Sequence, residues 1–205
     1  MSTCFYDFHT HNPTPTPGIV KMLCVDPGVA LNDVDGIFYS SGIHPWRAGE
    51  NFDMSVLQKM LPHLSAIGEI GLDRLCGVPL HQQLETFSKH LIWQKPLIIH
   101  NVRCTSEILQ RLPEPMLALW HRAPVKRSSL SRIIERGSMV SFSLEGLRFL
   151  NPALVPLSQL GLETDDSSVP IQEIYEAAAK LWQVSLEDLR CQLEQNFMRF
   201  YTLSG

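Results

Sequence analysis

The chain has no apolar run approaching the ~18 residues that a helix needs to cross a bilayer, which excludes a membrane-spanning helix. Cysteine is sparse: Cys4, Cys24, Cys76, Cys104 and Cys191 are odd in number and contain no C-x-x-C pair. Neither a disulfide framework nor a cysteine-based zinc knuckle fits that pattern, and reduced thiols in a cytoplasm are expected. The opening Met1-Ser2-Thr3-Cys4-Phe5 lacks the basic flank and apolar stretch of a secretory leader. An excess of one charge is missing too. With 17 basic and 21 acidic residues the formal net charge is −4, so the molecule as a whole does not advertise a polyanion partner. No low-complexity tract, internal repeat or linker divides the 205 residues. A single domain over residues 1–205 is expected, with no obligate protein partner evident.

What is present is an ordinary globular balance, 44% hydrophobic and 19% charged. Short runs rich in Val, Ile and Phe alternate with stretches of helical period. Strands are predicted at Cys4–Phe8, Ile19–Val25, Gly36–Ile43, Ala66–Glu69, Leu97–His100, Leu117–His121, Met139–Phe142 and Leu157–Glu163. Helices fit Met54–Leu64, His81–Trp93, Thr105–Leu112 and Ser128–Arg136, the last stopped by Gly137. Two more follow the eighth strand. Pro170 suits the first turn of one, which carries Ile171, Ile174, Ala178 and Leu181. Ser185 caps the other, with a stripe of Leu186, Leu189, Leu193, Phe197 and Phe200. Strand and helix in alternation imply an α/β fold with a parallel sheet covered by helices. Eight strands favour a compact, closed (β/α)8 TIM barrel, although ~250 residues is usual for it. The shortfall sits early, where only the Pro-rich His11–Gly18 separates the first two strands, so early helices are expected to be trimmed.

Histidines and acids stand where these strands end. Asp7-Phe8-His9-Thr10-His11 closes the first, and residues two apart on a strand point to one side, so His9 and His11 can converge on a cation. Glu69, His100 and His121 close later strands, and Asp165 follows Leu162-Glu163-Thr164. In a barrel such ends open onto one face, where sites are built. Burying these groups unpaired would be costly, whereas cations would neutralise the acids. His44, in Gly42-Ile43-His44-Pro45, reaches the same rim and suits a substrate-facing or ligand-supporting role; shaping the turn before Pro45 is the alternative. His63, His81 and His90 lie in or beside helices and are expected on the surface. From Arg122 to Arg136 the basic residues Arg122, Lys126, Arg127, Arg132 and Arg136 meet a single acid, Glu135. That stretch suits a solvated helix face as well as a phosphate-facing patch.

In order, Asp7–His11, Gly42–Pro45, Gly68-Glu69-Ile70-Gly71-Leu72-Asp73, Ile98-Ile99-His100, His121 and Leu162-Glu163-Thr164-Asp165 resemble the motifs of the TatD-related hydrolases. Asn196-Phe197-Met198-Arg199-Phe200 resembles that family's last helix. The resemblance spans nearly the whole chain. It implies a barrel of the metal-dependent hydrolase superfamily and hydrolysis of DNA, often as a 3′-to-5′ exonuclease, so the expected partner is DNA or a small phosphodiester. Carried over position by position, it implies two divalent metal ions. His9, His11 and Asp165 would hold one, His100 and His121 the other, with Glu69 bridging. Several departures fall on substrate choice rather than on these ligands. Trp46 follows Gly42-Ile43-His44-Pro45 where many relatives have another histidine; Arg122-Ala123 replaces a small and aromatic pair; Asp166 replaces a small residue; and the Gly71–His81 loop is short.

The chemistry this implies is attack by a metal-activated water, with Asp165 and Glu69 as catalytic carboxylates. Arg122 and Arg103 are candidates to bind a phosphate through the planar guanidinium, surface ion pairs being the alternative. Asp7 and Glu163 are placed to orient ligating imidazoles. Mixed imidazole and carboxylate ligands suit Zn²⁺, Mn²⁺ or Fe²⁺ better than Mg²⁺, although the family is often called magnesium-dependent. Three alternatives stand beside the nuclease reading: a hydrolase of a small amide, ester or cyclic substrate, a polymerase-type phosphoesterase that also begins with H-x-H, and a non-catalytic metal-binding protein.

Overall fold

Runs such as Ala66-Ile67 and Leu97-Ile98-Ile99 have no polar face, so both sides of each strand must be covered, which a parallel sheet with outer helices achieves. The computed structural model describes residues 4–201; Met1–Thr3, which open the segment read against a leader, lie outside the described residues. Its strands are β1 (Phe5–Thr10), β2 (Ile19–Val25), β3 (Ile37–Ser41), β4 (Ala66–Asp73), β5 (Leu97–Val102), β6 (Ala118–Trp120), β7 (Met139–Phe142) and β8 (Leu160–Leu162). They form one eight-stranded parallel sheet in chain order. A parallel bridge between Thr10 and Asp165 joins the first strand to the exit of the last. There Asp165 N–H donates to His9 O at 3.0 Å and His11 N–H donates to Asp165 O at 3.1 Å. The expected TIM barrel is present, and its closing seam runs through the candidate ligands.

The helices are α1 (Met54–Met60), α2 (Leu80–His90), α3 (Thr105–Arg111), α4 (Arg127–Glu135), α5 (Leu144–Leu147), α6 (Ile171–Trp182) and α7 (Leu186–Tyr201). No helix lies between β1 and β2 or between β2 and β3, which is the early trimming expected. The C-terminal α7 covers part of the exposed flank. Phe197 packs against Tyr6, Phe8 and Phe38 with ring centroids 5.2, 5.3 and 5.4 Å apart. Asn196 Nδ2 pins the helix by donating to Leu157 O and Leu160 O at 2.7 and 2.8 Å. None of the described helices is long and apolar enough to cross a membrane.

Boundaries differ from expectation at informative places. Leu157–Gln159 is a 3-10 turn closed by Gln159 N–H donating to Pro156 O at 2.9 Å, and only Leu160–Leu162 is strand. β4 and β5 run past Glu69 and His100, so these two do not end their strands. A register shift between Ile67 and Ile70 turns Glu69 within its strand. Gly71, at φ 149°, allows close approach of the next strand: a Cβ there would lie 1.9 Å from His100 O.

Candidate metal centre

The mouth of the barrel encloses a cavity of about 480 Å³, lined among others by His11, His44, Glu69, His100, His121 and Asp165, a size usual for small-ligand sites. Glu69 stands at its centre, and its two oxygens face different partners. Oε1 lies 2.5 Å from His100 Nδ1, 2.7 Å from His121 Nε2 and 3.2 Å from His44 Nε2. Oε2 lies 3.3 Å from His9 Nε2 and 3.5 Å from His11 Nε2. Asp165 Oδ1 closes the second group, 3.6 Å from His9 and 3.5 Å from His11. All six expected ligand residues thus meet, Glu69 and His100 from within β4 and β5 and the others from the last residues or exits of β1, β6 and β8.

So dense a cluster shifts its members' proton affinities. Burial pulls the His9 imidazole down, but the Glu69 carboxylate 3.3 Å away, with Glu163 and Asp165 behind it, raises it to about 9. Burial would lift Glu69, yet the surrounding imidazoles, His121 foremost, hold it well below the carboxylate range. His121 is lowered, chiefly by burial. Without a cation, the acids hold a proton on His9; a divalent ion would supply that positive charge instead.

The lone pairs point the same way. His9 Nε2, which faces Glu69 Oε2 and Asp165 Oδ1, is buried without a hydrogen bond, a cost that metal ligation would remove. Among the described residues, the trios able to hold an ion are His9-Glu69-His121, His9-His11-Asp165, His11-Cys24-Glu69 and His44-Glu69-His100. Hydrogen bonding separates them. His44 Nδ1 accepts Trp46 N–H at 3.3 Å, so the neutral ring carries its proton on Nε2 and presents a donor, not a lone pair, to the cavity. Cys24 Sγ is occupied as acceptor from Glu69 N–H at 3.2 Å and donor to Gly68 O at 3.4 Å, and burial pushes the thiol up to about 12. The remaining His9, His11, Glu69, His100, His121 and Asp165 fit divalent cations with nitrogen and oxygen donors.

Neighbouring residues divide differently from expectation. Asp7 orients no imidazole; its carboxylate accepts Thr164 N–H at 3.0 Å and Thr164 Oγ1–H at 2.6 Å, fixing the loop that carries Asp165. Glu163 is 3.8 Å from His121 Nδ1 but is engaged by Arg122 N–H at 2.6 Å and by Ser141 Oγ. Burial raises its carboxyl to about 8. Arg122 lines the cavity, with Nη1 3.2 Å from Asp165 Oδ2. Arg103 is exposed and stands outside the cavity lining. Of the basic stretch only Arg122 reaches the cavity; Arg132 donates to Ser106 Oγ, and Arg136 pairs with Glu114. His63 and His81 are exposed, but His90 is fully buried, contrary to the surface placement expected. It sits on the inward stripe Gln83, Phe87, His90 of α2, with Nδ1 2.8 Å from Thr86 O and Nε2 accepting Ile43 N–H at 3.1 Å. Asp73 was passed over. Its Oδ2 accepts Trp46 Nε1–H at 2.7 Å and lies 3.5 Å from His100 Nε2. The strand's period of two, running Glu69, Gly71, Asp73, was the signal.

The family model described as TatD related DNase matches residues 29–202. The chain belongs to this family. It shares its fold with a TatD-family hydrolase from Entamoeba histolytica, at 17% identity and TM-score 0.76 over 98% of this chain and 99% of that one. YjjV, a TatD homologue from Escherichia coli K12, superposes with TM-score 0.76 at 19% identity over 98% and 99% of the two chains. The phosphotriesterase homology protein from Escherichia coli, complexed with phosphate, gives TM-score 0.61 at 13% identity over 96% and 99%. Comparison with curated proteins yields no match. The protein is a TatD-family hydrolase with a TIM-barrel fold and residues able to bind metal.

Proposed function

We propose that this TatD-family protein is a metal-dependent phosphodiesterase acting on DNA. The observation that carries the reading is Glu69, whose oxygens face two separate sets of imidazoles, as a carboxylate shared by two cations would. His9, His11 and Asp165 would hold one cation and His100 and His121 the other, with Glu69 shared between them. Bound there, divalent ions supply Lewis acidity and make water a competent nucleophile near neutral pH.

The chain's own groups supply the rest. Asp165 Oδ1, within 3.6 Å of both His9 and His11, accepts the proton of the attacking water. Arg122, half-exposed and paired with Asp165 Oδ2 at 3.2 Å, exchanges that contact for a phosphate oxygen when substrate enters. His44 Nε2–H donates to an oxygen of the phosphodiester. The phosphate in the structurally similar phosphotriesterase homology protein is the kind of ligand this donor set suits, and Cys24, Cys76, Cys104 and Cys191, all thiols, fit a reducing cytoplasm.

Purified protein incubated with labelled single-stranded oligonucleotide and Zn²⁺, Mn²⁺ or Mg²⁺ should give products that chelator suppresses. Absence of cleavage with every metal would overturn the nuclease reading. A second reading, hydrolysis of a small amide, ester or cyclic substrate, is favoured by Asp26 and Asp166, whose carboxylates join the cavity lining and repel a long polyanion. A panel of small phosphodiesters, amides and lactones separates the two.

A further inference from the structure

We infer that Trp46 forms a stacking subsite for an unpaired nucleobase beside the candidate metal centre. The inference rests on the phosphodiesterase reading and adds to it the residue that holds the base next to the scissile phosphodiester.

Exposed apolar side chains scattered singly need no explanation. Trp46 is different in three ways. It is 62% exposed, and of the large apolar side chains exposed among the described residues it alone lines the cavity that holds the candidate ligands. Its ring is held in place: Nε1–H donates to Asp73 Oδ2 at 2.7 Å, while Asp73 Oδ1 accepts Leu75 N–H at 2.7 Å. Asp73 is itself buried and locked to α2, since its N–H donates to Gln83 Oε1 at 2.7 Å. The backbone is held too, through Trp46 N–H to His44 Nδ1 at 3.3 Å. Finally, the indole stands against the centre, 4.8 Å from the His44 ring and 6.3 Å from the His100 ring, both edge-on.

An indole whose rotation is already restricted loses little entropy when a flat ligand settles on it. Every base has a π-face and stacks on tryptophan with little regard to sequence. A base inside a duplex has both faces covered by its neighbours, so only an unpaired one can use this platform. With the phosphodiester at the candidate metals, the ring next to it along the strand is the one within reach of Trp46.

The test is binding of deoxyadenosine 5′-monophosphate against base-free deoxyribose 5-phosphate to the Zn²⁺-loaded protein, followed by tryptophan fluorescence and by calorimetry. The nucleotide should quench emission and bind about 5- to 150-fold more tightly than the base-free ligand, the range set by stacking on one aromatic face. In Trp46→Ala the ratio of the two affinities should fall to about one. Trp46→Phe should keep most of the ratio while losing the quench, which shows that a ring, and not a folding defect, is responsible. Equal affinities in the wild type, no binding of either ligand, or an undiminished ratio in Trp46→Ala would each overturn the subsite. A preserved ratio in a protein that cleaves no oligonucleotide supports the subsite and removes only the phosphodiesterase reading.

Discussion

His9 at the barrel mouth and His90 in the wall formed by α2 are equally inaccessible, each 0% exposed. Their surroundings differ in every other respect. Thr86 O and Ile43 N–H engage the two nitrogens of His90, and burial pulls its imidazole down to about 4. It is a neutral group whose donor and acceptor are both used, a structural clamp between α2 and the end of β3. Neither nitrogen of His9 has a hydrogen bond, and nearby acids outweigh burial to raise it to about 9. Burial does not distinguish a core histidine from a candidate ligand. Unmet lone pairs among converging carboxylates do.

The difference can be broken most forcefully at the shared carboxylate. Glu69→Gln keeps shape but halves the donor strength at the point where both sets of imidazoles meet; turnover should fall by about 10³-fold, measured as chelator-sensitive hydrolysis. Removing each histidine should then separate the two regions. A divalent ion at about 100 times its dissociation constant stabilises a native site by ~2.7 kcal/mol, and thermal denaturation of His9→Ala should lose most of that metal-dependent gain. His90→Ala should lower stability by ~2–4 kcal/mol through its cavity and unpaired backbone groups, equally with and without metal. Equal responses of the two variants to chelator would erase the contrast.

Acid sharpens it further. His90 binds its proton near pH 4 in the folded chain against 6.5 unfolded, so the unfolded state holds more protons between those values. Its contribution is complete above pH 6.5 and declines as pH drops through that window, by about 3 kcal/mol in all. Urea denaturation of metal-free protein should therefore give a shallower loss from pH 7 to pH 4 for His90→Leu than for the wild type; parallel curves would contradict this. The smallest effect is expected at Arg122, half-exposed and paired with Asp165. Arg122→Ala should raise KM for a phosphodiester about tenfold with little change in metal content, read from steady-state kinetics.

Much of this was legible in the residues. Runs such as Leu97-Ile98-Ile99 declare buried parallel strands, and placing His or an acid just after such runs declares a loaded barrel mouth. His90 was missed because a polar residue on a helix reads as solvent-facing, although its spacing from Phe87 and Gln83 put it on the inward stripe. Asp73 is hidden in the sequence because the local pattern ends the strand at Glu69, while β4 runs four residues further. α5 has only four residues, too few to show a period. Which partner Asp7 takes depends on how β8 leaves the barrel, a tertiary fact that no local pattern carries.

The central claim is that six side chains, distant along the chain, hold a pair of cations about Glu69. Metal analysis of protein prepared without chelators and saturated with Zn²⁺ or Mn²⁺ tests it directly. Two ions per chain in the wild type and fewer than one in Glu69→Gln are predicted. A wild type that retains no ion under any of these conditions, or a variant that retains both, would contradict it.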